Sequence, residues 1–433
     1  VLDIKYIRKN QAEAETALKK RVPDIDLGPL LTLDSDMRAL LTVQETLQSQ
    51  RNKLSAEIGM IKRTGGDTSA IETQVKKIND DLGIHETRLT ELQTQLDEAL
   101  SALPNIPDPR APAGGKEANQ IVKTWGEKPQ LPEKPKDHVQ LCTDLGLVDY
   151  ERGVKLGGSG FWLYTGMGAA LEWALLNYFC ASHYRDGYTF MLPPHLLVHE
   201  SGYAAGQFPK FADDVFHLKS VDGHRDRFLL PTSETAIVNV YRDEILDEAV
   251  LPIKAFAYSP CYRSEAGGGR ADERGTVRGH QFNKVEMFQF TTPDQAEAAH
   301  NELVRRAETL LEELGLHYQT TLLSAGDASA SMRLTYDVEV WIPSMGIYKE
   351  VSSISWAGDY QARRAKIRYR PTGAKNTEFV HTLNASGLAT SRLLPAIVEQ
   401  FQQADGSVRV PAPLQPWVGT DVIRPNDILR KSA

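Results

Sequence analysis

Cys261-Tyr262-Arg263-Ser264-Glu265-Ala266-Gly267-Gly268-Gly269-Arg270 and, four residues on, Arg274-Gly275-Thr276-Val277-Arg278-Gly279-His280-Gln281-Phe282-Asn283-Lys284-Val285-Glu286 form the densest chemical stretch of the chain. An apolar run at 255–258 leads into it and another at 285–290 leads out, so it reads as strand, glycine-rich loop and returning strand. Arginine offers planar, forked donors matched to phosphate and carboxylate oxygens. Several arginines on such a loop suit a nucleotide whose phosphates must be neutralised during reaction, with Phe282 placed to stack on a base. A surface loop laced with charge pairs is the competing reading of this stretch taken alone.

Working outward, Pro231-Thr232-Ser233-Glu234 sets hydroxyls beside a carboxylate after a strand, and Lys349-Glu350-Val351-Ser352-Ser353 does the same. Asn384-Ala385-Ser386-Gly387-Leu388-Ala389-Thr390-Ser391-Arg392 opens an apolar helix with small residues and an arginine. Each piece alone reads as a turn or a cap. Runs at 228–230 and 365–370 add strands, and 171–184 and 294–314 add amphipathic helices, the second bracketed by Pro293 and Gly315. Short connections between neighbouring strands predict a mostly antiparallel sheet flanked by helices, an α+β domain over 138–433.

The amino-terminal part has another rhythm. Leu40, Leu47, Leu54 and Ile61 recur every seven residues with Ile58 on the same face. After Gly65-Gly66-Asp67, Ile71, Val75, Ile78, Leu82, His85, Leu89, Leu92, Leu96, Ala99 and Leu103 step by four and three. That is the seam of an antiparallel α-helical coiled coil over about 35–103, within a first domain of 1–103. His85 on the seam is a polar break that helps fix register. Near the turn, Arg51, Lys53, Lys62, Arg63, Lys76 and Lys77 outnumber the acids, whereas the far half of the second helix is acidic. A basic tip suits a polyanion; a solvated coiled-coil surface or a protein-docking arm are the other readings. The Pro- and Gly-rich stretch 104–137 reads as a linker, and its Gly-Lys is no phosphate loop, because Arg110 stands where a glycine is needed.

Composition fits this organisation. The 433 residues are 41% hydrophobic and 24% charged, a globular balance for two or three domains. The net charge of −8 excludes a bulk electrostatic binder of nucleic acid but not a local basic patch. No apolar run approaches the ~20 residues of a membrane span. The start is too polar for a secretory signal, and three scattered cysteines make neither a disulfide framework nor a zinc site, so a reduced, cytoplasmic protein is expected. His195 and His199 have a metal pair's spacing but follow a Pro-Pro turn and lack the metalloprotease glutamate; no zinc is expected there.

Together and in this order the motifs resemble the catalytic domain of a class II aminoacyl-tRNA synthetase, specifically the seryl-tRNA synthetase family of bacterial type. Tyr262-Arg263-Ser264-Glu265-Ala266-Gly267 is similar to that family's Phe-Arg-Ser-Glu-Ala-Gly, and His280-Gln281-Phe282-Asn283-Lys284-Val285-Glu286 to its return strand. Residues 187–194 resemble the dimer-forming first motif, the run 361–370 is characteristic, and the hairpin resembles the tRNA-binding arm. The resemblance implies a homodimer that activates L-serine with ATP and Mg2+ and passes it to tRNA(Ser), and to tRNA(Sec) where one exists. It implies that Arg263 bridges the α-phosphate and the serine carboxylate, that Glu265 meets the adenine end, and that Phe282 stacks on the base, with Arg392 against its other side or on the γ-phosphate. Ser264, Gly279, Val351 and Ser352 complete the expected ATP contacts, with Glu350 and Ser353 holding Mg2+. Thr232, Ser233, Glu234 and Glu286 are implied around the serine ammonium, and Ser386 near its hydroxyl. The six basic residues near the hairpin turn are the implied tRNA contacts. Ala385 and Ser391 stand where the family has glycines, Gly279 where it has a bulkier residue, and Ile354-Ser355-Trp356-Ala357 lacks its usual cysteines and asparagine.

Overall fold

The computed structural model describes residues 1–219, 226–265 and 273–425; Ala266, the three glycines after it and Arg270 lie outside them. The chain divides into two compact units, Val1–Ile106 and Pro107–Ala433.

In the first unit, helices α1 (Gly28–Arg63) and α2 (Ser69–Ala102) run antiparallel. At 1.5 Å per residue they are about 54 and 51 Å long. The predicted seam is the less exposed face: Leu54, Ile58 and Ile61 on α1 and Val75, Ile78, Leu89 on α2 are half-buried, while Leu82, Leu92 and Leu96 are buried. Helix α1 begins at Gly28 rather than Ser35, because Pro29 sits in the first turn, where it costs no hydrogen bond. Asp34, itself buried, binds Arg8 at 2.7 Å and Arg38 at 3.0 Å. Of the tip cations, Lys53, Arg63, Lys76 and Lys77 are exposed, Lys62 pairs with Glu72 at 2.8 Å, and Arg51 reaches Asn52 at 3.3 Å.

The second unit is built on a sheet with eight strands among the described residues. They are β1 (Gln120–Trp125), β2 (Thr189–Met191), β3 (Ile253–Tyr262), β4 (Gln281–Thr291), β5 (Tyr318–Leu322), β6 (Leu334–Ile342), β7 (Ile347–Gly358) and β8 (His381–Ala389). Their spatial order is β1-β5-β6-β7-β8-β4-β3-β2, antiparallel throughout except for the pairing of β2 with β3. Helices α3 (Gly166–Arg185), α4 (Ala296–Leu314) and α6 (Thr390–Gln400) bury Leu171, Leu175, Leu303, Leu311, Leu394 and Ile397 in its main core. A short helix α5 (Tyr360–Ala365) belongs to a second core with β3 and β4.

Two expectations need correction. The stretch 104–137 is not merely a linker: it contains β1, which pairs with β5 through Gln120↔Leu322 to Trp125↔Tyr318. As an edge strand β1 leaves Ile121 and Val122 exposed, so it lacks the inside–outside alternation that marks a strand. Residues 365–370 are not one strand either. Helix α5 ends at Ala365, Lys366 turns left-handed at φ 55°, and only Arg368–Arg370 is extended.

Candidate active site

A cleft of about 250 Å³ opens on one face of the sheet where β4, β7 and β8 lie side by side. Side chains alternate along a strand, so Phe282, Lys284 and Glu286 all project from β4 into it while Asn283 and Val285 project behind. On β8, Asn384 and Ser386 face the cleft by the same rule, Ser386 directly opposite Glu286.

Glu350 and Ser353 are three apart and would face opposite sides of a regular strand. A bulge at Val351 resets the alternation, pairing Glu350 with Glu339 and Ser353 with Asp337, so both face the cleft. A second bulge falls in β8, where Glu286 pairs with Ser386 but Lys284 with Ala389. There Gly387 passes so close to His183 that an added Cβ would lie 2.4 Å from Nε2. The His183 ring meets the Gly387 carbonyl at 2.9 Å and an Arg306 nitrogen at 2.9 Å. Burial above all pushes this histidine down to about 3, so it is neutral, accepts from Arg306 and donates to Gly387.

The deep end holds two carboxylates. Asn384 Nδ2 donates to both, to Glu234 Oε2 and Glu286 Oε1, at 3.1 Å each. Lys284 Nζ lies 2.7 Å from Glu286 Oε2 and donates to Thr232 Oγ1 at 2.7 Å; Ser386 Oγ donates to Glu286 at 3.4 Å. Glu234 is steadied by Gln361 of α5, whose amide donates at 2.7 Å and whose own oxygen accepts from Thr382 at 2.6 Å. Desolvation, then the charge of Glu286, push Glu234 up to about 7, against the Gln361 bond and the charges of Lys284 and Arg263.

The outer end is cationic. Arg263, just after β3, is pinned by its backbone N–H on the His280 carbonyl at 2.9 Å, and its guanidinium carbon lies 5.2 Å from the Phe282 ring centre. Arg392, in the first turn of α6, donates to the Val277 carbonyl at 3.1 Å and the Glu350 carbonyl at 2.7 Å. Arg278 bonds Glu265 at 2.6 Å and Glu273 at 3.2 Å, and Glu273 takes a second contact from Lys349 at 2.6 Å. Glu265 holds the left-handed region at φ 51°, where the chain turns into the glycine-rich stretch. Gly279 is required sterically: a Cβ there would lie 2.1 Å from the Trp162 ring, which fills the place a bulkier residue would take.

Thr232, Glu234, Arg263, Glu265, Gly279, Phe282, Glu286, Glu350, Ser353, Ser386 and Arg392 all border this one cleft. Four other expected contacts turn their side chains elsewhere. Ser233 Oγ meets Ser259 Oγ at 2.6 Å behind the pocket, and Ser264 Oγ donates to the Asp213 carbonyl. Val351 is buried in the core, and Ser352 donates to the Ser386 carbonyl at 2.6 Å. Sequence reasoning missed Lys284, Arg278 and Asn384. Alternation on β4 through Phe282 and Glu286 marks Lys284, and the same step back from Ser386 marks Asn384. His195 and His199 flank a three-residue strand, Leu196–Val198, rather than sharing a helix face. His199 instead stacks on Phe208 at 4.8 Å.

A cleft with adjoining carboxylates at one end and arginines beside an aromatic ring at the other, floored by an antiparallel sheet, is the core of a class II aminoacyl-tRNA synthetase. The family model "tRNA synthetase class II core domain (G, H, P, S and T)" matches residues 216–401, and "Seryl-tRNA synthetase N-terminal domain" matches 1–107. The chain is 53% identical to serine–tRNA ligase 2 of Clostridium acetobutylicum over 97% of its length and 100% of that protein. It is 42% identical to serine–tRNA ligase of Syntrophobacter fumaroxidans over 97% of this chain and 99% of the other. Seryl-tRNA synthetase from Pyrococcus horikoshii, solved with ATP, superposes with a TM-score of 0.91 at 32% identity, covering 98% of this chain and 99% of that one. The chain belongs to the seryl-tRNA synthetase family. Its activity is that of a serine–tRNA ligase: serine is activated with ATP and passed to tRNA.

Proposed function

We propose a division of labour in which Glu234 takes the substrate ammonium and Glu286 with Ser386 takes the hydroxyl. The observation that carries it is Lys284. Its ammonium already binds Glu286 and Thr232, leaving Glu234 as the carboxylate without an ion-pair partner among the described residues. Ser386 beside Glu286 offers a polar pair that a hydroxyl can join and that alanine, lacking one, cannot use. Arg263 then lies between the serine carboxylate and the α-phosphate, and Phe282 and Arg392 hold the adenine. The carboxylate attacks α-phosphorus, pyrophosphate leaves, and a hydroxyl of the tRNA 3′ end later takes the acyl group with release of AMP. Catalysis is chiefly positioning and charge stabilisation.

The Glu350 carboxylate and the Ser353 hydroxyl, brought to one face by the bulge, suit Mg2+, a hard cation that prefers oxygen. When bound there the ion would neutralise phosphate charge on the nucleotide. The remaining assignments follow the same reading. Residues 1–103 with the hairpin serve tRNA(Ser), and tRNA(Sec) where present, by shape and phosphate contact, and the catalytic domain follows in the cytoplasm. A homodimer belongs to the same reading, and the exposed aromatic side chains Trp173 and Tyr184 on α3 and Phe190 on β2 support it. No helix among the described residues is long and apolar enough to cross a membrane.

The Glu234 assignment has a pH signature. Below about 7 its carboxyl is protonated, and a substrate ammonium must displace that proton; above it the carboxylate is ready. With ATP and magnesium saturating, kcat/KM for serine should fall about tenfold per pH unit on the acid side and level off above neutrality. Glu234→Gln should be low and flat over the same range. A wild-type profile that is flat through this window would contradict the assignment.

A further inference from the structure

Behind the cleft lies a buried carboxylate with no part in the scheme above. Glu172 of α3 is 4% exposed, and among the described residues it has no ion-pair partner. Its Oε1 accepts from Asn283 Nδ2 at 2.8 Å and from Thr390 Oγ1 at 2.5 Å, while its Oε2 is buried without a partner. Asn283 in turn accepts from the Tyr258 hydroxyl of β3 at 3.2 Å. One side chain thus joins three elements: α3, the strand β4 and the first residue of α6.

We propose that Glu172 is a positioning residue for the nucleotide clamp, fixing from behind the sheet the two backbone segments that carry Phe282 and Arg392. Asn283 is the neighbour of Phe282 and projects from the opposite face of the same strand, so anchoring the one sets the pitch of the other. Thr390 is buried at the start of α6, and Arg392 follows two residues later in the same turn. A buried acceptor shared by two donors from different elements fixes their separation, because moving either donor leaves a polar group unpaired in the core. Burial is the main influence on this carboxyl and pushes it up to about 7, against the bonds from Thr390 and Asn283. Its task needs an oxygen acceptor rather than a charge, and glutamine should serve. The serine end has its own braces in Gln361, Asn384 and Lys284 and does not touch Glu172.

The test is the split between the two substrates in ATP–pyrophosphate exchange. Glu172→Ala should raise KM for ATP about tenfold and leave KM for serine within about twofold, and Glu172→Gln should restore ATP affinity. Thr390→Val, which removes one donor at nearly constant shape, should raise KM for ATP in the same way, and Thr390→Ser should not. This second pair carries the test if Glu172→Ala does not fold. Equal rises in both KM values, an unchanged KM for ATP in Thr390→Val, or a Glu172→Gln enzyme no better than Glu172→Ala would overturn the proposal.

Discussion

Replacing Arg263 by glutamine should lower serine-dependent ATP–pyrophosphate exchange by ~10³-fold while leaving the melting temperature nearly unchanged. The size follows from position. The side chain lies over Phe282, in the cleft that also holds Glu286 and Arg392, where the proposed function brings the two reacting anions together. Bringing a carboxylate to a phosphate costs electrostatic work, and a fixed forked cation removes it before the reaction begins. The fold should tolerate the change, because the Arg263 backbone is held by His280 on both sides. Its N–H donates to the His280 carbonyl at 2.9 Å and its carbonyl meets His280 Nδ1 at 3.0 Å. Arg263→Lys keeps the charge but not the fork and should recover only part of the loss. A glutamine variant that retains more than about a tenth of wild-type exchange would remove Arg263 from the reacting centre.

The second large effect separates the two half-reactions. Leu54 of α1 and Ile78 of α2 line the same small hollow between the helices, which sets the register across the hairpin. Removing residues 45–87 and closing the ends with a short glycine turn therefore shortens the arm without cutting one helix more than the other. That deletion takes away Arg51, Lys53, Lys62, Arg63, Lys76 and Lys77 together. Serine-dependent exchange should stay within about twofold of wild type, because Val1–Ile106 and Pro107–Ala433 are separate compact units. Charging of tRNA should drop by at least ~10²-fold, the loss expected when several phosphate contacts go at once. Charging at the wild-type rate by the shortened enzyme would contradict the role given to the arm.

Much of this was legible in the residues, for identifiable reasons. The hairpin declares itself because a seam repeats every three and four residues and glycines punctuate it, all of which is local. The return strand β4 is legible because its cleft-facing residues alternate, and that same alternation marks Lys284. What stayed hidden depends on partners distant in sequence. Strand β1 is held by backbone pairing to β5, and Lys123 on it meets Glu308 at 2.7 Å; neither contact leaves a periodic trace. The bulge at Val351, which turns Glu350 and Ser353 to one side, is a property of the pair β6 and β7 and not of either strand alone. Ser233 and Ser352 belong to the right motifs yet point away, since a residue's neighbours in sequence do not fix which face it takes at a turn or a bulge. Gly279 shows the reverse case. Its departure from the family pattern is visible in the sequence, and its cause, the Trp162 ring, only in the fold.

The central claim is that this cleft activates serine and no other amino acid. The most direct measurement is amino-acid-dependent ATP–pyrophosphate exchange by the purified chain with magnesium, across the standard amino acids. The account predicts exchange with serine alone, with alanine failing because it lacks the hydroxyl that the proposed Glu286–Ser386 pair binds. Exchange supported by a different amino acid, or none from folded protein that binds ATP, would contradict it.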